Sequence, residues 1–507
     1  MRKFIVLALT AVMVLGALAS AEAATEVKMT GDARVYGLFM DNRNFTGRSH
    51  SGTRKEENFE IWQRFRLRTD FVASEAVKFR FGIKVEDTWG HGTLTAANPT
   101  SGVSGGRYGS NSSGVQVYLA YLQFKWPDSD VQVTAGLQPL ALPHSAMFNA
   151  SPVFSDQAAA LVITAPIIPD TLSVMTGFAR LIQNTSDFTS TAGAYNATPV
   201  SDHRTDAQNL DAYILALPVT VDGFKVTPWG MIAVAGRDVA YGWKASTDSG
   251  TDLGWTFGDG LATSAAYQGA SWKNNQNAFY WVGGAFEVTA LDPVRFYADV
   301  IYGAGAMADR KANKRHGWFI DFGAEYTGLD VVTPQVFAWW STGEDKSTSN
   351  GSERMPMTRS AWGPGGSFLF DNNQTLNHGG ANMFVAPVGN MGIGASLAKI
   401  SFIEKLTHRL TFTYVRGTNS PQAIRNYMFA INGVAANGDY YFAMGRDLTW
   451  NESLYAINFD TKYQIYENLA AVVETGWAHG DFQRHVWTGH HTTADAWKCA
   501  FGLTYKF

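Results

Sequence analysis

One cysteine, Cys499, stands in a chain of 507 residues. A lone thiol makes no disulfide framework and no multi-cysteine metal or iron–sulfur site; it reads as a small apolar residue on a strand face. Charge is sparse as well. Asp, Glu, Lys and Arg supply 17% of the residues, against about 25% in ordinary soluble domains. The formal net charge of −4 argues against a nucleic-acid partner, which requires a basic balance. Beyond residue 23 no run of roughly 18 apolar residues occurs, so no transmembrane helix is available and any membrane passage must use strands. Catalytic signatures are missing too: there is no G-x-S-x-G elbow, no H-E-x-x-H and no P-loop. Gly392-Ile393-Gly394 lacks the rest of a dinucleotide fingerprint. His485, His490 and His491 read as a solvated loop cluster before they read as a metal site. The chain is therefore expected to be no enzyme and to carry no cofactor.

What is present begins with an export signal. Arg2 and Lys3 precede an apolar stretch from Phe4 to Ala19, and Ala21-Glu22-Ala23 offers a small-x-small cleavage site. The expected organisation is a cleaved signal peptide, 1–23, followed by one domain, 24–507. Removing the signal takes away two bases and one acid and leaves a net charge of −5. Aromatics at 13% and 50 glycines then set the character of the remainder.

Alternation with period two dominates. At the end of the chain Trp497, Cys499, Phe501, Leu503, Tyr505 and Phe507 alternate with Lys498, Ala500, Gly502, Thr504 and Lys506. Near its start Phe59, Ile61, Phe65, Leu67 and Phe71 alternate with Glu60, Arg64, Arg66, Arg68 and Asp70. A tight link at Ser74-Glu75 leads into Val77, Phe79, Phe81, Ile83 and Val85, alternating with Lys78, Arg80, Lys84 and Glu86. These strands are about twice the 5–6 residues usual in soluble sandwiches and match the length a tilted membrane strand needs.

Short turns are expected near Ser74, Pro127-Asp128, Pro166 to Asp170, Asp222-Gly223, Asp292-Pro293, Gly328 to Asp330, Glu404 to Thr407 and Glu467-Asn468. Between them lie Gly/Ser/Thr/Asn-rich segments at 88–114, 182–207, 237–275, 342–390 and 417–450. Short turns at one end and long loops at the other are the asymmetry of outer-membrane barrels. The fold class predicted is all-β, a transmembrane antiparallel β-barrel of about 18 strands, with about 16 as the alternative, sizes at which a barrel lumen opens into a channel. Trp126, Trp318, Tyr326, Trp339, Trp340, Tyr414 and Tyr463 are expected to form interfacial aromatic girdles.

The signal, the alternating strands, the loop asymmetry and the terminal aromatic strand together resemble the trimeric porins. More closely, the opening Val27-Lys28-Met29-Thr30-Gly31-Asp32-Ala33-Arg34-Val35-Tyr36-Gly37 and the aromatic finish resemble the outer-membrane homotrimeric porins of sulphate-reducing bacteria. That resemblance implies a homotrimer with one pore per protomer, exported through the periplasm into the outer membrane. Its partners there are lipid and lipopolysaccharide, the barrel-insertion machinery that reads Phe507 as an assembly signal, and small hydrophilic solutes diffusing passively. A substrate-selective channel and a structural or adhesive surface barrel stand as alternatives.

If the apolar alternates face lipid, Arg34, Arg64, Arg66, Arg68, Lys78, Arg80 and Lys84 form a basic lumen wall. By the same parity Glu287, Asp299, Asp321, Glu325, Asp460 and Glu474 form an acidic side, with Arg295, Arg409 and Lys462 interspersed. Like charges on neighbouring strands favour a wet channel over a packed core, and a weak anion preference is expected. The third long segment, Pro139 to Ala159, is expected to fold inward as a constriction loop, as in trimeric porins. Pro143, Met147, Phe148, Pro152, Val153 and Phe154 would pack on the wall, and His144, Ser145, Asn149 and Asp156 would line the aperture. Loop clusters such as Asp248 with Asp252, or Asp371 with Asn372 and Asn373, could hold Ca²⁺, although turn chemistry accounts for them more simply.

Overall fold

The computed structural model describes residues 25–42, 45, 57–90, 114–148, 150–183, 209–236, 276–306, 314–347, 350–358, 362, 375–376, 388–425, 448–483 and 495–507. The signal segment 1–23, Asn149, the His485/His490/His491 cluster and both proposed Ca²⁺ clusters lie outside these residues. Among the described residues no helix is long and apolar enough to cross a membrane.

The strands run β1 (Glu26–Asp41), β2 (Glu57–Ser74), β3 (Val77–Thr88), β4 (Gln116–Lys125), β5 (Gln132–Ala141), β6 (Ser155–Ile168), β7 (Leu172–Gln183), β8 (Asn209–Ala216), β9 (Val219–Val221) and β10 (Phe224–Gly236). They continue as β11 (Gln276–Val288), β12 (Val294–Ala306), β13 (Lys314–Tyr326), β14 (Thr333–Ser341), β15 (Asn390–Ile403), β16 (Leu406–Gly417), β17 (Ser453–Tyr466), β18 (Leu469–Asp481) and β19 (Asp495–Lys506). Each pairs antiparallel with its neighbours, and β1 pairs with both β2 and β19, so the sheet closes and has no edge. β8 and β9 are two halves of one spanning strand, since both pair with β7 and with β10. They part at Leu217-Pro218 because Pro218 has no N–H to give the ladder; its carbonyl still accepts from Ser173 N at 3.0 Å. The barrel is thus closed, antiparallel and 18-stranded, as expected.

All eight short connections lie at the end that carries the two termini. The main differences from expectation are small: Pro166 belongs to β6 and Thr407 to β16. Asp128, Asp170 and Lys405 take positive φ of 56°, 59° and 67° in these turns, the left-handed geometry that short polar turn residues tolerate best.

Alternation decides what faces where. Phe59, Phe65, Phe71, Phe79, Phe286, Phe322, Phe412, Phe459 and Phe501 are exposed on the outer surface, and the intervening residues line the inside. A water-soluble barrel would bury such a belt. Exposed apolar side chains encircling a closed ladder are instead the surface that lipid solvates, since a closed barrel leaves no backbone polar group unpaired in hydrocarbon. Trp126, Trp318, Tyr326, Trp340 and Tyr463 are exposed on that outer face, and Tyr414 shares it, half-buried. Trp339 departs from the expected girdle. It pairs with Asp321 and Gly392 on the inner face, is 3% exposed and donates its indole N–H to Asn390 Oδ1 at 2.7 Å. One step of register separates it from Trp340, and with period two that step moves a side chain from lipid to lumen.

Candidate functional site

The lumen has two unlike halves. Along β1–β3 the register turns Arg34, Arg64, Arg66, Arg68, Lys78, Arg80 and Lys84 inward. They are compacted by three carboxylates. Asp32 accepts from Arg66 Nε at 2.8 Å and lies 2.7 Å from its Nη2. Asp70 takes both forks of Arg80 at 2.6 Å each, and Arg80 also donates to Tyr121 Oη at 3.2 Å. Glu86 accepts from Lys84 Nζ at 3.1 Å. With Glu60, which shares the inner face of β2, seven bases against four acids leave three positive charges on one wall. Arg68 is exposed, and Arg66, Arg80 and Lys84 keep 33%, 28% and 30% of their side-chain surface open. This wall is wet.

The opposite half is covered by two loops. The third loop, 142–154, turns inward and buries Leu142, Phe148, Ala150, Val153 and Phe154 in a cluster with wall residues of β6 to β19. Its latch is Ser145, whose N–H reaches both oxygens of Asp299, at 2.9 and 3.0 Å, and whose hydroxyl donates to Oδ2 at 2.9 Å. Ser145 is therefore turned to the wall and buried rather than facing an aperture, because a buried carboxylate in β12 needs donors. His144 is half-buried beside Leu142 O. Asp156 lies on β6 and not on the loop; it is exposed and accepts from Gln157 N.

The seventh loop, 342–389, was expected to be external. Its described residues instead descend into the lumen. Met355, Met357 and Trp362 join the third-loop cluster. Trp362 packs edge-on against Phe319 at 4.7 Å and Trp339 at 6.0 Å, leans on Phe148 at 5.4 Å, and donates to Ala150 O at 2.9 Å. Thr358 N donates to Val153 O at 3.1 Å, and Trp281 Nε1 to Pro356 O at 2.6 Å. Farther along the loop, Thr375 N and Leu376 N donate to Glu474 Oε1 at 2.5 and 3.3 Å, and Leu376 is buried with Tyr36, Leu38, Met40 and Val472. The loop's root is fixed by Glu344, Ser352, Arg354 and Asn419. Arg354 Nε donates to Asn419 Oδ1 at 3.0 Å and lies 3.7 Å from Glu344, whose carboxylate accepts from Ser352 Oγ. Burial pushes the Glu344 carboxyl above the usual carboxylate range, and the Arg354 charge opposes that rise.

The acidic side is changed by this cover. The register turns Glu287, Asp299, Asp321, Glu325, Asp460 and Glu474 inward, yet Asp299, Asp321 and Glu474 are each only 1% exposed. Two of them are docking posts for loops, and Asp321 accepts from Asp299 N at 2.8 Å. Glu325 is engaged by Tyr297 Oη at 2.7 Å and Gln335 Nε2 at 3.0 Å, with Arg295 3.9 Å away; Arg409 donates to Gln335 at 3.3 Å. Glu287 and Asp460 are half-buried and Lys462 is exposed. The inward apolar positions Trp229, Met231, Phe279, Trp281, Phe319 and Phe337 were the overlooked signal. Such side chains on the inner face of a wide barrel must be dried by something that packs inside it, because the wall by itself leaves them facing the lumen.

No family model matches the chain, and no curated protein matches it. Among solved structures the barrel is similar to Pseudomonas aeruginosa OpdQ, with 11% identity over 95% of this chain and 99% of that one at a TM-score of 0.47. It is also similar to Pseudomonas aeruginosa OpdL, with 8% identity over 95% and 99% at 0.48. The outer membrane channel DcaP of Acinetobacter baumannii gives 10% identity over 96% and 99% at 0.41. Closure of the barrel rests on its own strand register, whatever these likenesses.

Proposed function

We propose that this chain is an outer-membrane porin, a water-filled channel through which small hydrophilic solutes diffuse passively, with a preference for anions. One observation carries the proposal: among the described residues the two inward loops cover much of the acidic and apolar half of the lumen and the Tyr36–Met40 end of β1, and leave Arg66, Arg68, Arg80 and Lys84 of β2 and β3 open to the lumen. A charge wall in a narrow cleft concentrates counter-ions without supplying energy. Export through the periplasm, insertion by the assembly machinery, contact with lipid and lipopolysaccharide, and a homotrimeric state belong to the same reading. A substrate-selective channel is the second reading, favoured by a lumen so narrowed by two loops; solute-resolved conductance separates the two.

The test is the reversal potential in a salt gradient across a planar bilayer. Anion preference should be clear near 0.1 M salt and fade toward 1 M, as the screening length falls from about 10 Å to about 3 Å. The triple variant Arg64→Ala, Arg66→Ala, Arg80→Ala should lose most of the preference at low salt. Unchanged potentials would show that these residues lie off the conducting path, and a folded protein with no conductance would favour a structural or adhesive barrel.

A further inference from the structure

Arg34 and Arg64 stand apart from the rest of the basic wall. They are direct opposites across the β1–β2 ladder, where side chains lie about 4.5–5.5 Å apart at Cβ and like charges destabilise. They are also the least exposed ion-paired bases of the wall, at 15% and 11% of side-chain surface. Asp32 gives its Oδ2 to Arg66, Asp70 both oxygens to Arg80 and Glu86 its Oε2 to Lys84, each within hydrogen-bond distance, while Asp32 Oδ1 takes no hydrogen bond among the described residues. Arg34 and Arg64 see those carboxylates only from farther off: Arg34 Nε and Arg64 Nη2 are each 3.7 Å from Asp32, and Arg64 Nη1 is 3.8 Å from Glu86. Among the described residues Arg34 Nε and Nη1 and Arg64 Nε have no hydrogen-bond acceptor. Donors left in that condition favour any acceptor that reaches them, and two opposed guanidinium groups add repulsion.

We propose that this rung is a discrete binding subsite for a doubly charged tetrahedral oxyanion. The proposal rests on the channel reading and deepens it. Charge sets the valence: Arg34, Arg64, Arg66 and Lys84 face Asp32 and Glu86, four bases against two acids, so two negative charges neutralise the cluster. Geometry sets the shape. Two forks on adjacent strands approach from different directions, which suits an acceptor whose oxygens leave one plane; a planar carboxylate matches one fork at a time. A modest turn of either long side chain, which the missing bonds leave unopposed, presents the idle N–H groups to an anion passing along the wet wall.

The experiment is calorimetric titration of sodium sulfate, and separately of inorganic phosphate, into the full-length purified protein in detergent at fixed chloride, alongside planar-bilayer recordings. One saturable sulfate site per chain is expected in the parent. Arg34→Gln and Arg64→Gln should weaken it by ~tenfold or more, the scale of losing one charge-assisted bond. Arg64→Lys keeps the charge and loses the fork, so it should weaken sulfate binding while low-salt anion preference persists. Lys125→Gln, at the exposed end of β4, should bind as the parent does, and a heat-modifiable band on electrophoresis checks that each variant is folded. Equal binding in both Gln variants, or no saturable binding in a parent that prefers anions, overturns the subsite and leaves the channel reading standing. A parent that conducts nothing overturns the channel reading, whether or not it binds sulfate.

Discussion

Replacing Trp362 with alanine should open the pore: single-channel conductance should rise and become noisy, with the anion preference diminished. The indole ties the seventh loop to the third through Ala150 O and Phe148 and both to the wall through Phe319 and Trp339. Truncating a buried Trp costs about 3–5 kcal/mol in a packed core. Each ~1.4 kcal/mol shifts an equilibrium tenfold, so the docked state should lose two orders of magnitude or more in its balance against undocked ones. Asp299→Ala, which strips Ser145 of its acceptor, should act in the same direction. Bonds to a charged acceptor are worth about 1.5–3 kcal/mol, and the apolar third loop would still hold, so the expected effect is frequent brief openings rather than a stable larger level. Widening follows because undocked loops no longer fill the lumen, and selectivity falls because the buried carboxylates that remain, Asp321 and Glu474 in both variants and Asp299 in the first, regain water and oppose the basic wall. Single-channel recording in a planar bilayer decides the matter. Parent-like conductance in both variants would mean that these loops do not bound the conducting path.

Assembly should fail when the seam of the barrel is disturbed at Gly31 and Phe507. Gly31 N donates to Phe507 O at 2.8 Å and Phe507 N to Gly31 O at 3.1 Å, the last rung where chain end meets chain start. The Phe507 ring stacks with Phe65 and Tyr505 at 6.2 and 5.8 Å on the outer face, pairs worth about 0.5–1.5 kcal/mol each beyond burial. A Cβ at position 31 would meet the Phe507 ring at 2.4 Å and the Arg66 carbonyl oxygen at 2.5 Å, and backbone cannot yield as a side chain can. Gly31→Val should therefore displace the terminal ring, and deletion of Phe507 should remove the rung and both stacks together. The yield of heat-modifiable, membrane-inserted protein should drop steeply in both variants, while channels that do form should conduct as the parent. Parent-like yield from the deletion would remove Phe507 from any role in assembly.

Much of the fold was legible because a membrane barrel writes its two solvents into alternate residues. Phe65 beside Arg66, and Phe79 beside Arg80, assign lipid and water one position apart, and a one-residue slip would exchange every side chain. The turns at Ser74, Asp222-Gly223 and Glu467-Asn468 were visible for a related reason, since reversal needs residues that tolerate turn dihedrals. The inward third loop was legible from Phe148, Val153 and Phe154, which are too apolar for an exposed segment. The seventh was hidden: its Met355, Met357 and Trp362 are spread among glycines, serines and polar residues, and no short window of that stretch looks buried.

Parity alone made Asp299, Asp321 and Glu474 inward-facing, and inward they are. Parity carries no information on depth or cover, because it records only which side of one sheet a residue occupies. Whether an inward carboxylate meets water or a loop depends on contacts between residues far apart in sequence, Ser145 with Asp299 or Leu376 with Glu474. The same limit applies to Arg34 and Arg64. Their types and their face follow from the sequence, whereas their standing opposite one another, with Asp32 Oδ2 and Glu86 Oε2 taken by Arg66 and Lys84, was decided by the register of β1 against β2 and β3. Local alternation answers to solvent and is set residue by residue; which charges are open to the lumen answers to closure of the ring and to the loops packed within it.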